Sequence, residues 1–483
     1  MARHPVGAAA GVESRFGPLP GEIKVRSQSD IVGTGGPRPP AVGRLLQHPD
    51  VAVLAARHGR KATTAAVQAA VAEARAGRLD PGDEPGLAGR VAQLLDGSPR
   101  QLRRVINGTG VVIHTNLGRA PLAARAAARA ADLASGYTNL ELDLQTGRRG
   151  DRHSLLTDTL RRLTGVEAAM VVNNGAAAVL LALTALCRRR EVLVSRGEAI
   201  EIGGGFRIPD ILRLSGAKLV EVGTTNRTRV SDYEQACTPR TAAFLRVHQS
   251  NFRITGFTER PRLPELAAAA HQRGLHLLED VGSGLLPPAP FGAANEARLG
   301  RSWADGADLI FCSGDKLLGA SQAGLVLGRS ELVEKLRRHP LARALRPDKL
   351  QLAALEETLR CIEEPGGLDQ VPVWAMLRAD PRRLRRRSER WADQLRGIGL
   401  AAEVAATEGA VGGGTTPGDP LPSFGIHIAC PRPGAVRRRL LAAETAVLCL
   451  ERPGGIVIDA RCVLPGEDEP LIAALAAVLG VPS

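Results

Sequence analysis

The sequence predicts an α/β fold: a mainly parallel sheet with helices on both faces, a small helical domain before it and a small α+β domain after it. Three observations carry this. From Val105 onward, short apolar runs alternate with Ala- and Leu-rich stretches of helical period. Residues 40–100 show helical periodicity without strand-like runs. Beyond Pro347 a long helical stretch gives way to short alternating apolar segments. Alternation of strand and helix is the pattern of a parallel sheet, because parallel neighbours need a crossover and a helix supplies it.

Taken in order, residues 1–39 are rich in Gly, Pro and Ser and read as a disordered extension. Val42, Leu45, Leu46, Val51, Val53 and Leu54, then Ala65, Val67, Val71 and Ala74, mark helices over 41–77, and Leu87, Val91, Leu94 and Leu95 mark a shorter one. The strand candidates of the next domain, 101–347, are AAMVVNN (168–174), EVLVSRG (191–197), KLVEVG (218–223), AAFLRVH (242–248), LHLLEDVG (275–282), ADLIFCSGDK (307–316) and AGLVLG (323–328). Helical stretches fall at 175–187, 209–215 and 263–273. The last domain, 348–483, opens with a linking helix over 349–363. A helix with a very basic start follows at 384–396, then strands at 423–430 and 454–460, and 406–420 reads as a flexible loop.

Composition excludes several classes. Seven cysteines, an odd number without a CxxC pair, speak against a disulfide framework and a structural zinc site. No secretory leader and no apolar run of membrane-spanning length is visible, so a cytoplasmic protein without a membrane partner is expected. Aromatics make up 3%, too few for an RNA-binding mode built on stacked bases. The formal net charge is +13, and among 63 basic residues only six are lysines. An arginine-rich, basic chain suits phosphate and favours a polyanionic partner.

The rarity of lysine draws attention to Lys316, at the end of a buried run. A desolvated amine has a lowered pKa and attacks an aldehyde, although a lysine snorkelling at a strand end would look the same. Asp280 ends another strand, about 35 residues earlier. A carboxylate there can keep a pyridinium nitrogen protonated; an aspartate capping a turn would also sit there. The run NNGAAAVLLAL (173–183) passes from strand to helix. The backbone N–H groups of Asn174, Gly175 and Ala176, reinforced by the helix dipole, form an anion site, with Ser313 able to add a hydroxyl. A plain Asn helix cap is the bland reading of that turn. Together, anion turn, aspartate and lysine point to pyridoxal 5'-phosphate, and their order resembles the aspartate-aminotransferase-like fold, PLP fold type I.

A closer resemblance rests on longer strings: INGTGVVIHTNLGRAPL (106–122), NLELDLQTGRRGDR (139–152), EIGGGFRIPDILRLSGAKLVEVGTTNRT (201–228), HQSNFRITGF (248–257), EDVGSG (279–284), SGDKLLGASQAG (313–324) and PLARALRPDK (340–349). These resemble bacterial selenocysteine synthase, the L-seryl-tRNA(Sec) selenium transferases. The resemblance implies conversion of seryl-tRNA(Sec) to selenocysteinyl-tRNA(Sec) with selenophosphate, by loss of water and addition of selenium at the β-carbon. It assigns Lys316 and Asp280 to the cofactor, Arg119, Arg343 and Arg346 to the selenium donor, and a tRNA-binding role to 40–100. The i, i+3 spacing of Arg343 and Arg346 would place both on one helix face. A dimer-based homo-oligomer, a decamer, is implied as well. Where the family has an aspartate pair this chain has Glu279-Asp280, so either carboxylate is open to the pyridine nitrogen; Asp280 is the choice made. Asp315 is the candidate proton donor for the departing hydroxyl. The competing expectation is a pyridoxal-dependent lyase acting on a free amino acid or amino-sugar acid.

Overall fold

A computed structural model describes residues 39–95, 102–202, 205–249, 252–286, 297–412 and 420–480. The expected disordered extension, apart from Pro39, lies outside these. The chain divides into two compact units, Met1–Arg103 and Arg104–Ser483.

In the first unit, helices α1 (Val42–Leu46), α2 (Pro49–His58), α3 (Arg60–Arg75) and α4 (Glu84–Leu95) enclose a core of Leu45, Val51, Val67, Val71, Leu87 and Val91. On α3 the buried positions 63, 66, 67, 70, 71 and 74 recur every three to four residues, so one face turns inward. Arg90 Nε holds Glu73 at 2.8 Å, tying α4 to α3.

The second unit is built on a seven-stranded sheet. The strands of the unit are labelled from β1 (Val111–Ile113), and the sheet comprises β2 (Ala168–Val172), β3 (Glu191–Ser195), β4 (Lys218–Val222), β5 (Thr241–Val247), β6 (His276–Gly282), β7 (Leu309–Ser313) and β8 (Gly324–Gly328). Their order is β2-β8-β7-β6-β5-β3-β4. Strand β8 runs antiparallel to both its neighbours, and the remaining pairs are parallel. Every residue of β3, β5, β7 and β8 is buried, as expected where helices cover both faces. Helix α5 (Gly175–Cys187) is apolar on nearly all sides and packs with Val172, Val194, Leu245, Leu278 and Phe311 on one face of the sheet. The other face packs Val171, Val281, Ile310 and Leu325 against Leu355 and Leu359.

Three further helices matter below: α6 (Pro340–Ala344), α7 (Lys349–Glu363) and α8 (Pro381–Gly397). A second sheet runs in the order β11-β12-β10-β9-β1, with β9 (Ala402–Gly412), β10 (Leu421–Ala429), β11 (Leu450–Arg452) and β12 (Gly455–Asp459). It corrects one expectation. Residues 406–412, read as loop, are the second half of β9. Their glycines carry little strand propensity, but pairing decides: residues up to Gly409 pair with β10, and Ala410 and Gly412 pair with Val111 and Ile113 of β1. Residues 413–419 of the expected loop lie outside the described residues. Strand β1 precedes the central sheet in the chain yet completes the C-terminal one, so residues 105–113 stitch the two together.

Candidate active site

Parallel strands leave their carboxyl ends on one side of the sheet, and loops from neighbouring strands meet there. Strands β2, β8, β7 and β6 are adjacent, so the Asn173-Asn174 turn, the connection from β7 to β8, and the end of β6 share one edge.

Lys316 lies in the β7–β8 connection, and residues 313–320 are all buried. The loop is held from within: Gly314 N–H donates to Ala323 O at 2.9 Å, Ala320 N–H to Gly314 O at 2.9 Å, and Gly319 N–H to Lys316 O at 2.9 Å. Leu317 N–H donates to Ser283 O at 3.0 Å and ties the loop to the end of β6. Lys316 itself is 5% exposed. Gly282, at φ +64°, brings its backbone so close that a Cβ there would lie 3.5 Å from Lys316 Nζ.

Asp280 and Glu279 are neighbours in sequence but not in space, since successive strand side chains point to opposite faces. Asp280 shares the face of Leu278 and α5, and its carboxylate feels the Lys316 charge. Burial pushes the Asp280 carboxyl above the usual aspartate range, while Lys316, the Gly282 N–H and His248 pull the other way. Gly282 N–H donates to Asp280 Oδ1 at 3.0 Å, and His248 N–H donates to Asp280 O at 2.9 Å. Glu279 faces the other side. Burial also raises its pKa, opposed by a hydrogen bond with Ser302.

Asn174 caps α5, its Oδ1 accepting from Ala177 N–H at 2.9 Å. The cap reading of this turn is therefore correct, and it is compatible with an anion site. The first N–H groups of a helix have no intrahelical acceptor, and here those are Gly175 and Ala176. A Cβ at Gly175 would lie 2.4 Å from Ser313 Oγ, so glycine lets that hydroxyl close over the helix start. Asn173 N–H donates to Leu345 O at 3.0 Å, which brings the 340–346 segment against the same turn.

The three predicted arginines are held separately. Arg119, itself at φ +65°, donates from Nη1 to Asp315 Oδ2 at 2.8 Å. Arg346 Nη1 lies 3.3 Å from Glu141 Oε1, and Arg343 is exposed. Helix α6 ends at Ala344, so the two do not share a helix face as their spacing suggested; Leu345 leaves the helix to accept from Asn173. The Arg119–Asp315 pair joins two residues singled out for different tasks. Asp315 Oδ1 is buried without a hydrogen-bond partner among the described residues.

Sequence reasoning missed a buried ion cluster beside the site. Glu198 Oε1 accepts from Arg246 Nη1 at 2.9 Å and from Arg260 Nε at 2.8 Å, and Glu198 Oε2 accepts from Val247 N–H at 2.9 Å. It clamps the ends of β3 and β5 next to His248. The signal available in the sequence is weak: Glu198 is one polar residue directly after the strand candidate 191–197.

The comparisons with known proteins decide the family. The model described as L-seryl-tRNA selenium transferase matches residues 105–464, and one described as selenocysteine synthase N terminal matches 40–75. The chain belongs to the L-seryl-tRNA selenium transferase family. Among its relatives, the L-seryl-tRNA(Sec) selenium transferase of Geobacter sulfurreducens is 46% identical over 91% of this chain and 98% of its own length. That of Solidesulfovibrio magneticus is 45% identical over 84% and 90%. The solved structure of a D-glucosaminate-6-phosphate ammonia-lyase superposes with a TM-score of 0.56 at 19% identity, covering 79% of this chain and 98% of that one, a likeness of fold.

This is the α/β architecture of PLP fold type I, and the residues present fit pyridoxal phosphate. Lys316 supplies a buried amine, and Asp280 a half-buried carboxylate whose desolvation suits a cationic ring nitrogen. The Gly175–Ser313 cradle with the open N–H groups of α5 suits the phosphate. Among the described residues no His, Cys, Asp and Glu group is arranged to hold a metal ion, and no helix is long and apolar enough to cross a membrane.

Proposed function

We propose that the chain converts L-seryl-tRNA(Sec) to L-selenocysteinyl-tRNA(Sec), with selenophosphate as selenium donor. The observation that carries the reading is the meeting of a buried lysine, a half-buried aspartate and a helix start suited to an anion on three strand ends of a chain with this family membership. Pyridoxal phosphate, when bound, supplies an electron sink for chemistry at the serine α-carbon. Asp280 would hold the proton on the ring nitrogen. Gly175, Ala176 and Ser313 would hold the phosphate. Lys316 Nζ, besides anchoring the cofactor, is the base placed to move the α-proton. Asp315, beside it, has one oxygen engaged by Arg119 and the other without a hydrogen-bond partner among the described residues, which supports a role in handling the proton of the departing hydroxyl. Arg119, Arg343 and Arg346 would receive the selenium donor's phosphate, since guanidinium groups bind it in bidentate fashion. We assign the tRNA-binding role to residues 40–100, assign the enzyme to the cytoplasm and expect a dimer-based homodecamer.

The test is incubation with seryl-tRNA(Sec), seryl-tRNA(Ser) and free serine, each with selenophosphate. Conversion of the first alone is the expected result. Equal elimination from the free amino acid would replace this reading with that of a small-molecule lyase.

A further inference from the structure

Helix α8 is built against its own stability. Between positions 382 and 390 it carries six arginines and one acidic residue, Glu389. Arg382, Arg383 and Arg385 fall near its N-terminus, where the helix dipole already places positive charge. Arg382 and Arg386, Arg383 and Arg387, and Arg386 and Arg390 are like-charged i, i+4 pairs, which repel. Packing does not explain the run, because the buried face is made by Leu384, Ser388, Trp391, Ala392 and Leu395.

Two of the six have structural duties. Arg387 grips both oxygens of Asp468, at 2.8 and 2.9 Å, and donates to Val463 O at 2.6 Å. Arg385 pairs with Glu389 at 3.0 Å. Arg382, Arg383 and Arg386 have no acidic partner among the described residues. Elsewhere on this unit several exposed helical arginines are matched, Arg162 to Glu363, Arg213 to Asp210, Arg301 to Asp305 and Arg338 to Glu334, while Arg343, Arg438 and Arg439 have no acidic partner among the described residues. On α8 three unmatched arginines fall within five residues, a density that a general preference for arginine over lysine does not by itself produce.

Beside α8 opens a cleft of about 840 Å³, lined by Arg378, Arg383, Arg387, Arg390 and Arg461. Its two aspartates are already used. Asp369 pairs with Arg378 at 2.7 Å, and Asp380 caps α8 through Arg382 N–H at 2.9 Å.

We propose that this cleft and the exposed face of α8 bind the phosphodiester backbone of RNA, as a second contact surface for the tRNA carrying the substrate. The inference rests on the tRNA-linked substrate proposed above. A row of guanidinium groups along two helical turns matches a repeating anion better than a single phosphate. A chain with 3% aromatics has little to stack bases on, so contact through phosphates is the mode open to it.

The test is the full-length triple variant Arg382→Gln, Arg383→Gln, Arg386→Gln, with the corresponding triple Lys variant beside it. Binding of seryl-tRNA(Sec) is measured by filter retention across a salt series. Each lost phosphate contact removes about 0.7–0.9 from the slope of log K against log salt, so the Gln variant's slope falls by about 2–3 and its affinity by about tenfold or more. The Lys variant keeps most of both. Turnover at saturating tRNA and the absorbance of bound cofactor stay at wild-type levels. The melting temperature holds or rises, because repulsion along the helix is relieved. Unchanged affinity and slope would overturn the proposal, as would a loss that tracks a lower melting temperature. If the wild-type protein binds no tRNA, the substrate reading falls too; if it binds and the Gln variant binds equally, only this surface assignment falls.

Discussion

Gly175→Ala isolates the phosphate cradle with a single methyl group. The new Cβ would sit 2.4 Å from Ser313 Oγ and 3.6 Å from Ser313 Cβ, so only the hydroxyl has to move. Gly175 is the first residue of α5, where alanine is tolerated; in helix interiors it is favoured over glycine by about 1 kcal/mol. The fold should therefore stay within about 1 kcal/mol of wild type. Cofactor affinity should not. Turning Ser313 Oγ away removes one hydrogen bond to a charged group, worth about 1.5–3 kcal/mol. At about 1.4 kcal/mol per decade, that is roughly 10- to 150-fold in Kd. The assay is absorbance titration of cofactor-stripped protein with pyridoxal phosphate, alongside Ser313→Ala and the double variant. Ser313→Ala loses the same hydrogen bond and also removes the atom the methyl strikes, so the double variant should bind like Ser313→Ala alone. Wild-type affinity in Gly175→Ala, or losses that simply add in the double variant, would refute the cradle.

Three further outcomes follow from the same geometry. Burial raises the folded pKa of Asp280 above its unfolded value, so the native state binds more protons between the two values and the cofactor-free protein loses stability as pH rises through that window. Asp280→Asn removes this loss: cofactor-free variant should melt above wild type at neutral pH, while turnover of the loaded enzyme falls by about 10²–10⁴. Burial works to raise the pKa of Glu198, but Arg260, Arg246 and the Val247 N–H outweigh it, so its stabilisation is present at neutral pH and lost as pH falls through its depressed folded pKa. Glu198→Ala should accordingly cost about 3–5 kcal/mol at pH 7 in denaturant titration, and much less in acid. Arg119→Gln should lower selenium incorporation while loss of water from seryl-tRNA persists, as separate product assays would reveal; equal loss of both would place Arg119 in the first half of the reaction.

Strand runs such as EVLVS and AAFLRV were legible because both faces of a parallel sheet are buried, which leaves uninterrupted apolar letters. The lysine, the aspartate and the asparagine turn were legible because each polar residue abruptly ends such a run. What escaped depends on partners distant in sequence. Gly409 and Gly412 sit in a strand because β10 and β1 flank them, and no local propensity reports that. Arg343 and Arg346 have helical spacing, but Leu345 leaves the helix to meet Asn173, about 170 residues away in sequence. Glu198, Arg246 and Arg260 look like three ordinary charged residues until β3 and β5 lie side by side.

The proposed choice of Asp280 over Glu279 draws its support from the fold, because residue type leaves it open. Glu279 is buried and Asp280 half-buried, desolvation raises the pKa of both, and they are adjacent in the chain. Strand alternation sends them to opposite faces of the sheet, so only one can share a face with α5, whose start forms the phosphate cradle. That face belongs to Leu278 and therefore to Asp280. Glu279, on the other side, has Ser302 as its hydrogen-bond partner and lies near the Glu198 cluster, where its neutral form adds no further negative charge. A one-residue slip of β6 would exchange the two carboxyls and leave Asp280 buried away from Lys316. The β6 register is pinned on both sides, by Leu278 opposite Leu309 of β7 and by Asp280 opposite Val247 of β5. The Leu317–Ser283 hydrogen bond then fastens the lysine loop to the strand that carries the aspartate, so the backbones of the two residues are held at a fixed separation.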